Sequence, residues 1–254
     1  MSNKTALITG GATGIGKEAA KKLLAKGVNV VISGRRADVG AQAAQELAAF
    51  AKDGAKVKFV QNDVTDEAGV KALIDGIVAE FGALDYAVNN AAVSLETGLL
   101  PQSDSEVYKN MLQINVLGVY YCMKHEIAQM QKQGGGAIVN LCSIAGLNGI
   151  PYANTYVSTK HAVVGFTKSC ALDHAAENIR INGVAPGATR TEIIAKQISG
   201  ADENIDPKAL ETMHPMNRMG NPHEPANAIV WLLSDEASFT TGHILSVDGG
   251  FQAK

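Results

Sequence analysis

The sequence predicts an α/β fold: a doubly wound, seven-stranded parallel sheet with helices on both faces, in a single domain over residues 1–254. Short runs of β-branched and apolar residues alternate along the chain with amphipathic stretches of helical length. Because two parallel strands need a crossover between them, this alternation indicates a parallel sheet covered by helices. The 254 residues, 46% of them hydrophobic, suffice for one large core, and no linker or repeat divides them.

The predicted strands are short and bounded by polar or glycine-rich segments. They cover Ala6–Thr9, Val28–Ser33, Val57–Val60, Leu84–Val88, Ala137–Leu141, Ile179–Val184 and Ile244–Val247. The helices are predicted from the helical period of their apolar residues. They cover about Gly14–Lys26, Ala37–Ala51, Glu67–Phe81, Ser105–Lys132, Asn154–Glu177, Glu192–Gln197 and His223–Leu233.

Two helix starts carry capping signals, and one long segment lacks a clear pattern. Asp66 is expected to cap the helix that begins at Glu67, and Ser103 with Glu106 has the spacing of a capping box. Residues 189–220 follow the sixth strand and are the least patterned part of the chain. We expect a substrate lid there, and an ordinary surface insertion is the alternative.

Composition excludes several classes of protein. The net charge is −3, and no basic tract suggests a nucleic-acid partner. No apolar run has the length of a membrane span, and the polar Met1–Lys4 leads directly into the first strand rather than into a signal peptide. Cys122, Cys142 and Cys170 follow no metal or redox spacing, and the six histidines are scattered. These features predict a cytoplasmic protein with reduced thiols, no metal site and no membrane partner.

A glycine-rich turn joins the first strand to the first helix. Residues 9–16 read Thr-Gly-Gly-Ala-Thr-Gly-Ile-Gly. Backbone N–H groups and the helix dipole together favour an anion at such a position, and glycines let backbone approach phosphate closely. A glycine-rich turn alone is weak support, but its place after the first strand predicts the pyrophosphate of a dinucleotide. The expected contacts are Gly10, Thr13, Gly14, Ile15 and Gly16.

The end of the second strand indicates which dinucleotide is preferred. An acidic residue there would bind the ribose 2′-hydroxyl of NAD, but the chain has Gly34 followed by Arg35 and Arg36. A small residue leaves room for a 2′-phosphate, and guanidinium groups match its charge and geometry. We therefore expect NADP(H) to be preferred, with NAD(H) as the alternative. Both arginines also fit the start of a solvated helix.

Three side chains form a candidate chemical centre. Tyr156 and Lys160 are four residues apart and share one face of the predicted helix, where an ammonium is expected to lower the pKa of the phenol. By itself this spacing is more typical of a helix surface. Ser143 follows the fifth strand, at the edge where parallel sheets bind ligands, and its hydroxyl can join the phenol in polarising a carbonyl oxygen.

Taken together, these motifs resemble those of the single-domain short-chain dehydrogenases/reductases over nearly the whole chain. The glycine turn matches the family pattern Thr-Gly-x-x-x-Gly-x-Gly. The sequence Asn-Asn-Ala-Ala at residues 89–92 resembles the family's Asn-Asn-Ala-Gly, with Ala92 in place of the final glycine. The other matching positions are Asp63, Val64, Asn115, Ser143, Tyr156, Lys160, Pro186, Gly187, Thr191 and the segment 248–250. Each match is weak alone, but their order and intervals are specific.

The resemblance implies a Rossmann-type fold and an NAD(P)-dependent oxidoreductase that moves a hydride between the nicotinamide and a ketone or secondary alcohol. It implies that Tyr156 is the acid/base, that Lys160 holds the nicotinamide ribose and lowers the pKa of Tyr156, and that Ser143 orients the carbonyl. Asn115 would hold a water in a proton relay, and a purely structural contact within the helix is the alternative. The further cofactor contacts that it implies are Asp63 and Val64 at the adenine, Asn90, Ala91, Pro186, Gly187, Thr189 and Thr191.

The substrate is not determined by the sequence. Expected substrate contacts are Ser94, Leu95, Leu147, Asn148 and Tyr152, in a mainly apolar pocket. A medium-sized ketone, a secondary alcohol and a 3-oxoacyl thioester all fit, because 3-oxoacyl-carrier-protein reductases, glucose dehydrogenases and secondary-alcohol dehydrogenases share the pattern. The resemblance also implies a homotetramer built on the long helices that carry Asn115 and Tyr156. A non-catalytic, cofactor-binding regulator on the same fold is the main alternative function, and an epimerase or dehydratase is a second.

Overall fold

The computed structural model describes residues 1, 3–199 and 206–254, and within them it shows one seven-stranded parallel sheet. The strands are β1 Thr5–Thr9, β2 Asn29–Gly34, β3 Val57–Gln61, β4 Tyr86–Asn89, β5 Gly136–Leu141, β6 Ile179–Pro186 and β7 Ile244–Val247. Their order across the sheet is β3-β2-β1-β4-β5-β6-β7, and every neighbouring pair is parallel. The predicted fold class is therefore confirmed.

The order of the strands fixes where a ligand can bind. The chain moves outward from β1 to β3 and then returns to place β4 on the other side of β1. At β1 and β4, the connections to the two halves of the sheet run in opposite directions. This opens a crevice at the carboxyl ends of the strands. Thr9 and Asn89 pair at that point in the register of β1 with β4, so the loops that follow them face the crevice from its centre.

The helices cover both faces of the sheet. Their bounds are α1 Gly14–Leu24, α2 Ala37–Ala48, α3 Glu67–Phe81, α4 Ser105–Leu112, α5 Gly118–Gln133, α6 Asn154–His174, α7 Glu192–Ser199, α8 Pro207–Thr212 and α9 His223–Leu233. One apolar core lies between the sheet and α3, α5 and α6. A second core lies between the opposite face and α1, α2 and α9. Burial on both faces explains why β1 is buried along its length and has consecutive apolar residues at its centre rather than alternating ones.

The structure departs from the predicted helices in two places. The helix predicted over residues 105–132 is continuous, but a π-helical turn at Gln113–Leu117 interrupts it and separates α4 from α5. The weakly patterned stretch 189–220 contains α8 as well as the expected α7. Residues 200–205 of the predicted lid lie outside the described residues.

The expected caps are also different. Asp66 occupies the N-cap position of α3, but its side chain makes no cap hydrogen bond. The predicted capping box at Ser103 is wrong, because Asp104 caps α4 by accepting from the backbone N–H of Glu106 at 2.7 Å. The Ser103 hydroxyl donates instead to the Glu96 carboxylate at 2.6 Å. The Ser103 hydroxyl thus bonds to a charged acceptor that is close in space and does not cap the helix.

Candidate active site

A single cleft of about 820 Å³ runs along the carboxyl edge of the sheet. It extends from the glycine turn after β1, past the ends of β2 and β3, to the start of α6 and the segment that follows β6. Tyr156, Lys160 and Ser143 all line it. The cleft therefore joins the predicted dinucleotide site to the predicted chemical centre.

The glycine turn has the backbone that its sequence predicts. Gly10 and Gly14 have φ of 63° and 55°, the left-handed region that favours glycine. A Cβ at Gly16 would lie 2.7 Å from Asn90 Nδ2, so this position has no room for a side chain. Thr13 is the N-cap of α1 but makes no side-chain cap hydrogen bond, which leaves the first N–H groups of the helix for an external anion. Gly10, Thr13, Gly14 and Ile15 line the cleft, and Gly16 lies behind them.

Asn90 braces the turn from the neighbouring strand. Its Nδ2 donates to the carbonyl oxygens of Thr9 at 3.0 Å and Gly10 at 2.9 Å. In return, the Thr9 hydroxyl oxygen accepts from the backbone N–H of Asn90 at 3.1 Å and of Ala91 at 3.2 Å. These bonds fix the spacing between the turn and the end of β4, where Ala91 lines the cleft.

The end of β2 places Gly34, Arg35 and Arg36 along the cleft. A Cβ at Gly34 would meet no atom within 4 Å, so the space beside the strand end is open. The Arg36 guanidinium forms an ion pair with Glu192, Nη2 to Oε2 at 3.0 Å. Glu192 is the first residue of α7, and the pair therefore joins the two walls of the cleft.

Two polar residues that the sequence reasoning missed lie at the same end. The side-chain oxygens of Ser33 and Asn62 are buried and have no hydrogen-bond partner among the described residues, and both residues line the cleft. Buried polar atoms without a partner are costly, so a bound ligand that pairs with them would gain affinity. The neighbouring Asp63 accepts from the backbone and side chain of Thr65 and, like Val64, lines the cleft. The only sequence signal for Asn62 was its place after β3.

Tyr156 and Lys160 lie on α6 and point into the cleft, as their spacing predicts. Lys160 Nζ is 5.7 Å from the centre of the Tyr156 ring and donates to the carbonyl oxygen of Leu141 at 2.8 Å. Lys160 is only 3% exposed, and burial lowers its pKa to about 8. A fraction of this group is therefore neutral close to physiological pH.

The pKa of Tyr156 differs from the expectation. Burial raises it to about 12, although a hydrogen bond from Ser143 acts in the opposite direction. The expected lowering by Lys160 is not observed, because the cost of burying a phenolate exceeds the stabilising contacts and the ammonium is directed at the carbonyl of Leu141. At neutral pH the phenol thus carries its proton, which suits a proton donor.

Ser143 is held in an unusual backbone conformation. Its φ is 127°, a value that a residue with a side chain rarely adopts, and it lies two residues after the end of β5. Its Oγ accepts from the backbone N–H of Ala145 at 3.1 Å, and its hydroxyl lies close enough to the Tyr156 hydroxyl to lower the pKa of the phenol. Strain of this kind persists where the surrounding structure fixes it, and it is common at active sites.

Asn115 lies within the π-helical turn and is completely buried. Its side chain accepts from the backbone N–H of Val93 at 2.8 Å and donates to the Val93 carbonyl oxygen at 2.8 Å. It also donates to the Thr159 hydroxyl oxygen at 3.1 Å, on the turn of α6 between Tyr156 and Lys160. Asn115 therefore ties the loop after β4 to the helix that carries the chemical groups.

The segment after β6 forms the remaining wall, and His214 supports it. Pro186, Gly187, Thr189 and Thr191 line the cleft. The buried His214 ring accepts at Nε2 from the backbone N–H of Ala188 at 3.1 Å and contacts the carbonyl oxygen of Asp248 through Nδ1 at 2.7 Å. Because Nε2 accepts, Nδ1 carries the proton. Sequence reasoning missed His214, since its partners are 26 and 34 residues away.

The predicted substrate residues divide into two groups. Ser94, Leu95 and Tyr152 line the cleft, whereas the structure does not bring Leu147 and Asn148 to it. Leu147 packs against the core under α5 and α6. Asn148 donates to the carbonyl oxygen of Ile144 at 3.3 Å, so the short 3₁₀ turn after Ser143 directs both side chains away from the cleft.

Two kinds of feature are absent from the described residues. No helix among them is both long enough and apolar enough to cross a bilayer. No cluster of three or more histidine, cysteine or acidic side chains in the same ranges has metal-binding geometry.

Comparison with known proteins agrees with this geometry. A family model described as enoyl-(acyl carrier protein) reductase matches residues 10–252. A 2,5-dichloro-2,5-cyclohexadiene-1,4-diol dehydrogenase of Sphingobium indicum is 42% identical, with 100% of this chain and 98% of the relative covered. A cyclohexanol dehydrogenase of Acinetobacter sp. is 38% identical, with 100% and 97% covered. The solved structure of ElxO with NADP bound is 40% identical, with a TM-score of 0.91 and full coverage of both chains.

The family model and the relatives each cover almost the entire chain, so the similarity concerns the whole fold and not a single motif. Strands β2 to β7, the glycines of the turn and the Ser143–Tyr156–Lys160 arrangement all lie within the residues that the family model matches, and the relatives also cover β1. The chain therefore belongs to the short-chain dehydrogenase/reductase family of nicotinamide-dependent oxidoreductases that act on alcohol and carbonyl groups.

Proposed function

We propose that this protein reduces a mainly apolar, uncharged ketone, or oxidises the corresponding secondary alcohol, with NADP(H) as the preferred cofactor and Tyr156 as the acid/base. The observation that carries the proposal is the convergence of Ser143, Tyr156 and Lys160 on the inner end of a cleft that begins at the uncapped start of α1. The nicotinamide, when bound, supplies or accepts the hydride. Every other task falls to side chains of this chain.

The residues along the cleft fit a dinucleotide. The uncapped start of α1 suits a pyrophosphate, and the unpartnered oxygens of Ser33 and Asn62 suit a ribose or adenine. Gly16 and Asn90 would hold the turn in shape, and Asp63 with Val64 would flank the adenine. Ala91, Pro186, Gly187, Thr189 and Thr191 would contact the remainder of the cofactor.

Proton transfer is assigned to the chemical centre. In reduction, the Tyr156 hydroxyl donates its proton to the carbonyl oxygen of the substrate, and Ser143 donates a hydrogen bond to the same oxygen. In oxidation, a phenolate at Tyr156 accepts the alcohol proton. Lys160 would hold the nicotinamide ribose, and its ammonium, when charged, favours the phenolate. Asn115 positions α6 through Thr159 and would lie on the proton-relay path.

The preference for NADP(H) is supported at the end of β2. Arg35 and Arg36 line the cleft beside the open space at Gly34, and no acidic residue occupies positions 34–37. A 2′-phosphate placed there would meet two guanidinium groups. The similar structure of ElxO has NADP bound, which supports NADP(H) as the cofactor.

The substrate class follows from the lining of the inner cleft. Its side chains there are mostly apolar and come from the segments after β4 and β5 and from α7 and α8. They include Leu95, Ile144, Ile150, Tyr152, Ile193, Ile194, Leu210 and Met213. Among the described lining residues the cations are Arg35, Arg36 and Lys160, none of which is free for a substrate carboxylate under this proposal, and Arg190 is paired with Glu211. An alicyclic alcohol or ketone, like those that name two relatives, fits this surface.

Two larger features belong to the same proposal. Residues 189–220 would act as the lid over the substrate, since α7 and α8 both contribute to the cleft wall. The protein would assemble as a homotetramer in the cytoplasm, through the outer faces of α5 and α6 and the edge near β7. Tyr120 on α5 is 39% exposed and Leu172 on α6 is 81% exposed, which is apolar surface that an interface would cover.

Replacement of Tyr156 tests the chemistry. Tyr156→Phe removes the proton that the carbonyl receives but keeps the ring, so we expect turnover to fall at least a hundredfold while the Kd for NADPH stays within about twofold. The measurement is NADPH oxidation at the reduced-nicotinamide absorbance band with cyclohexanone and related ketones, alongside NADPH fluorescence titration. A Phe variant with normal kcat would overturn the assignment, and wild-type protein that binds NADPH without turning over any ketone or alcohol would favour a regulator.

Replacement of Arg35 tests the cofactor preference. Arg35→Ala removes a guanidinium that NADPH would use and NADH would not, so kcat/KM for NADPH should fall roughly tenfold while that for NADH changes little. The wild-type protein should have the higher kcat/KM with NADPH. A wild-type preference for NADH, or an Arg35→Ala variant with unchanged NADPH affinity, would contradict the proposal.

A further inference from the structure

The ion pair between Arg36 and Glu192 crosses the cofactor cleft. Arg36 is the N-cap residue of α2, directly after the end of β2, and Glu192 opens α7 on the opposite wall. Their side chains are 53% and 48% exposed, and Nη2 lies 3.0 Å from Oε2. The adjoining Thr191 packs against the glycine turn, where a Cβ at Gly14 would lie 3.3 Å from Thr191 Cγ2. Thr191 and the ion pair with Arg36 therefore both hold Glu192 close to the part of the cleft that is proposed to bind the dinucleotide.

We infer that Glu192 is a specificity-determining residue that competes with the 2′-phosphate of NADP(H) for the Arg36 guanidinium. This inference rests on the proposed placement of the 2′-phosphate beside Arg35 and Arg36. A phosphate at that place would share the Arg36 guanidinium with the Glu192 carboxylate, which already accepts from Nη2. It also brings nearly two negative charges next to a third. A cofactor without the 2′-phosphate meets neither cost.

The magnitude of the effect is set by exposure. Both partners are about half exposed, so the pair is screened by solvent and contributes as exposed ion pairs do. Glu192 thus moderates the preference for the phosphorylated cofactor by a small factor and does not abolish it. Among the described residues, Arg35 makes no ion pair with Glu192 or with any other acidic side chain.

The same segment offers a matched control. Arg190 and Glu211 form a second ion pair, Nη2 to Oε1 at 3.0 Å, with side chains 53% and 37% exposed. It links the residues around α7 to α8, and neither partner lines the cleft. Glu211→Gln removes a carboxylate of similar exposure from the same wall without changing the charge beside Arg36.

The test uses adenosine nucleotides that bind without turnover. The full-length wild type, Glu192→Gln and Glu211→Gln are titrated calorimetrically with 2′,5′-ADP and with 5′-AMP, at low salt and at about 0.5 M salt. We expect Glu192→Gln to bind 2′,5′-ADP roughly two- to fivefold more tightly at low salt, with a smaller gain at high salt and no change for 5′-AMP. Glu211→Gln should bind both ligands like the wild type.

Three outcomes would overturn the inference. They are a Glu192→Gln variant with weaker or unchanged 2′,5′-ADP binding, equal tightening for both nucleotides, and the same gain in Glu211→Gln. The failure of the proposed cofactor preference looks different, because it appears in the wild type as equal affinity for 2′,5′-ADP and 5′-AMP. A selective gain in Glu192→Gln in that case would still support competition at Arg36.

Discussion

Glu126 is a completely buried carboxyl that the proposed chemistry does not use. Its Oε2 accepts from Asn89 Nδ2 at 2.9 Å, and the same amide donates to Asn140 Oδ1 at 3.0 Å across the sheet. Glu126 Oε1 and Asn89 Oδ1 are both buried and have no hydrogen-bond partner among the described residues. A protonated Glu126 supplies a donor to a cluster that otherwise has two unmatched acceptors.

The pKa of Glu126 makes stability depend on pH. Burial raises this pKa from 4.5 to about 7, while the hydrogen bond from Asn89 acts in the opposite direction. A carboxyl with a raised pKa favours folding in its neutral form. Its contribution is complete below pH 4.5 and is lost between pH 4.5 and about 7, where the unfolded chain ionises and the folded chain does not. The loss is of the order of 3 kcal/mol, since each pKa unit corresponds to about 1.4 kcal/mol.

Glu126→Gln should remove this dependence, because an amide keeps the shape and supplies a donor at every pH. We expect the variant to be more stable than the wild type at pH 8 by about 1–3 kcal/mol and to lose that advantage at pH 5. Urea unfolding at the two pH values measures the difference. A stability difference that is the same at both values would show that Glu126 is not neutral in the folded protein.

Among the elements, the glycine turn after β1 depends on a close approach between backbone and side chain. Gly16→Ala places a Cβ 2.7 Å from Asn90 Nδ2 and 2.8 Å from the Gly10 carbonyl oxygen, which breaks the brace between the turn and β4. We expect a loss of about 1–3 kcal/mol in unfolding free energy and at least tenfold weaker NADPH binding. Thermal unfolding and fluorescence titration measure the two effects.

Gly76→Ala is the control for that prediction. Gly76 lies inside α3, and a Cβ there would meet no atom within 4 Å. Alanine in an unhindered helix position should stabilise the protein by about 0.5–1 kcal/mol and leave NADPH binding unchanged. If Gly16→Ala resembles Gly76→Ala in both measurements, the turn does not need its glycine at that position.

Elements with a local signal were predictable, and elements fixed by distant contacts were not. The apolar period placed every strand to within two residues at each end, and the four-residue spacing put Tyr156 and Lys160 on one face of α6. The π-helical turn at Gln113–Leu117 has no local signal, since it depends on the bonds of Asn115 to Val93 and Thr159. The predicted capping box is wrong for the same reason, because the Ser103 hydroxyl donates to the Glu96 carboxylate.

The residues of the candidate site show the same difference between local signals and distant contacts. Residues in motifs directly after a strand, such as Gly10, Ser143 and Asn90, reach the cleft or support it because parallel strands end at one edge. Leu147 and Asn148 were expected among the substrate contacts, but a short 3₁₀ turn directs them elsewhere. The raised pKa of Tyr156 was not predictable either, since it reflects the burial of the phenol and not its spacing from Lys160.

At the level of the whole molecule, the two cores leave the outer faces of the long helices available for assembly. The rings of Tyr120 on α5 and Phe166 on α6 lie 6.0 Å apart, so the two helices share an aromatic surface. Leu172 also lies on α6 and is 81% exposed. A large exposed leucine contributes little to the folding of one protomer, but it would contribute to an interface between protomers.

Leu172→Asp should therefore weaken assembly without unfolding the chain. We expect the wild type to sediment at four times the protomer mass of 26.6 kDa and the variant at a smaller multiple, because an aspartate buried between protomers would lack a partner. The free energy of urea unfolding of the separated protomer should change by less than about 0.5 kcal/mol, as for other surface substitutions.

Phe50→Ser is the control, since Phe50 is 40% exposed and follows α2, on the side of the sheet opposite α5 and α6. A wild type that sediments at 26.6 kDa, or a Leu172→Asp variant that remains tetrameric while Phe50→Ser dissociates, would place the interface elsewhere.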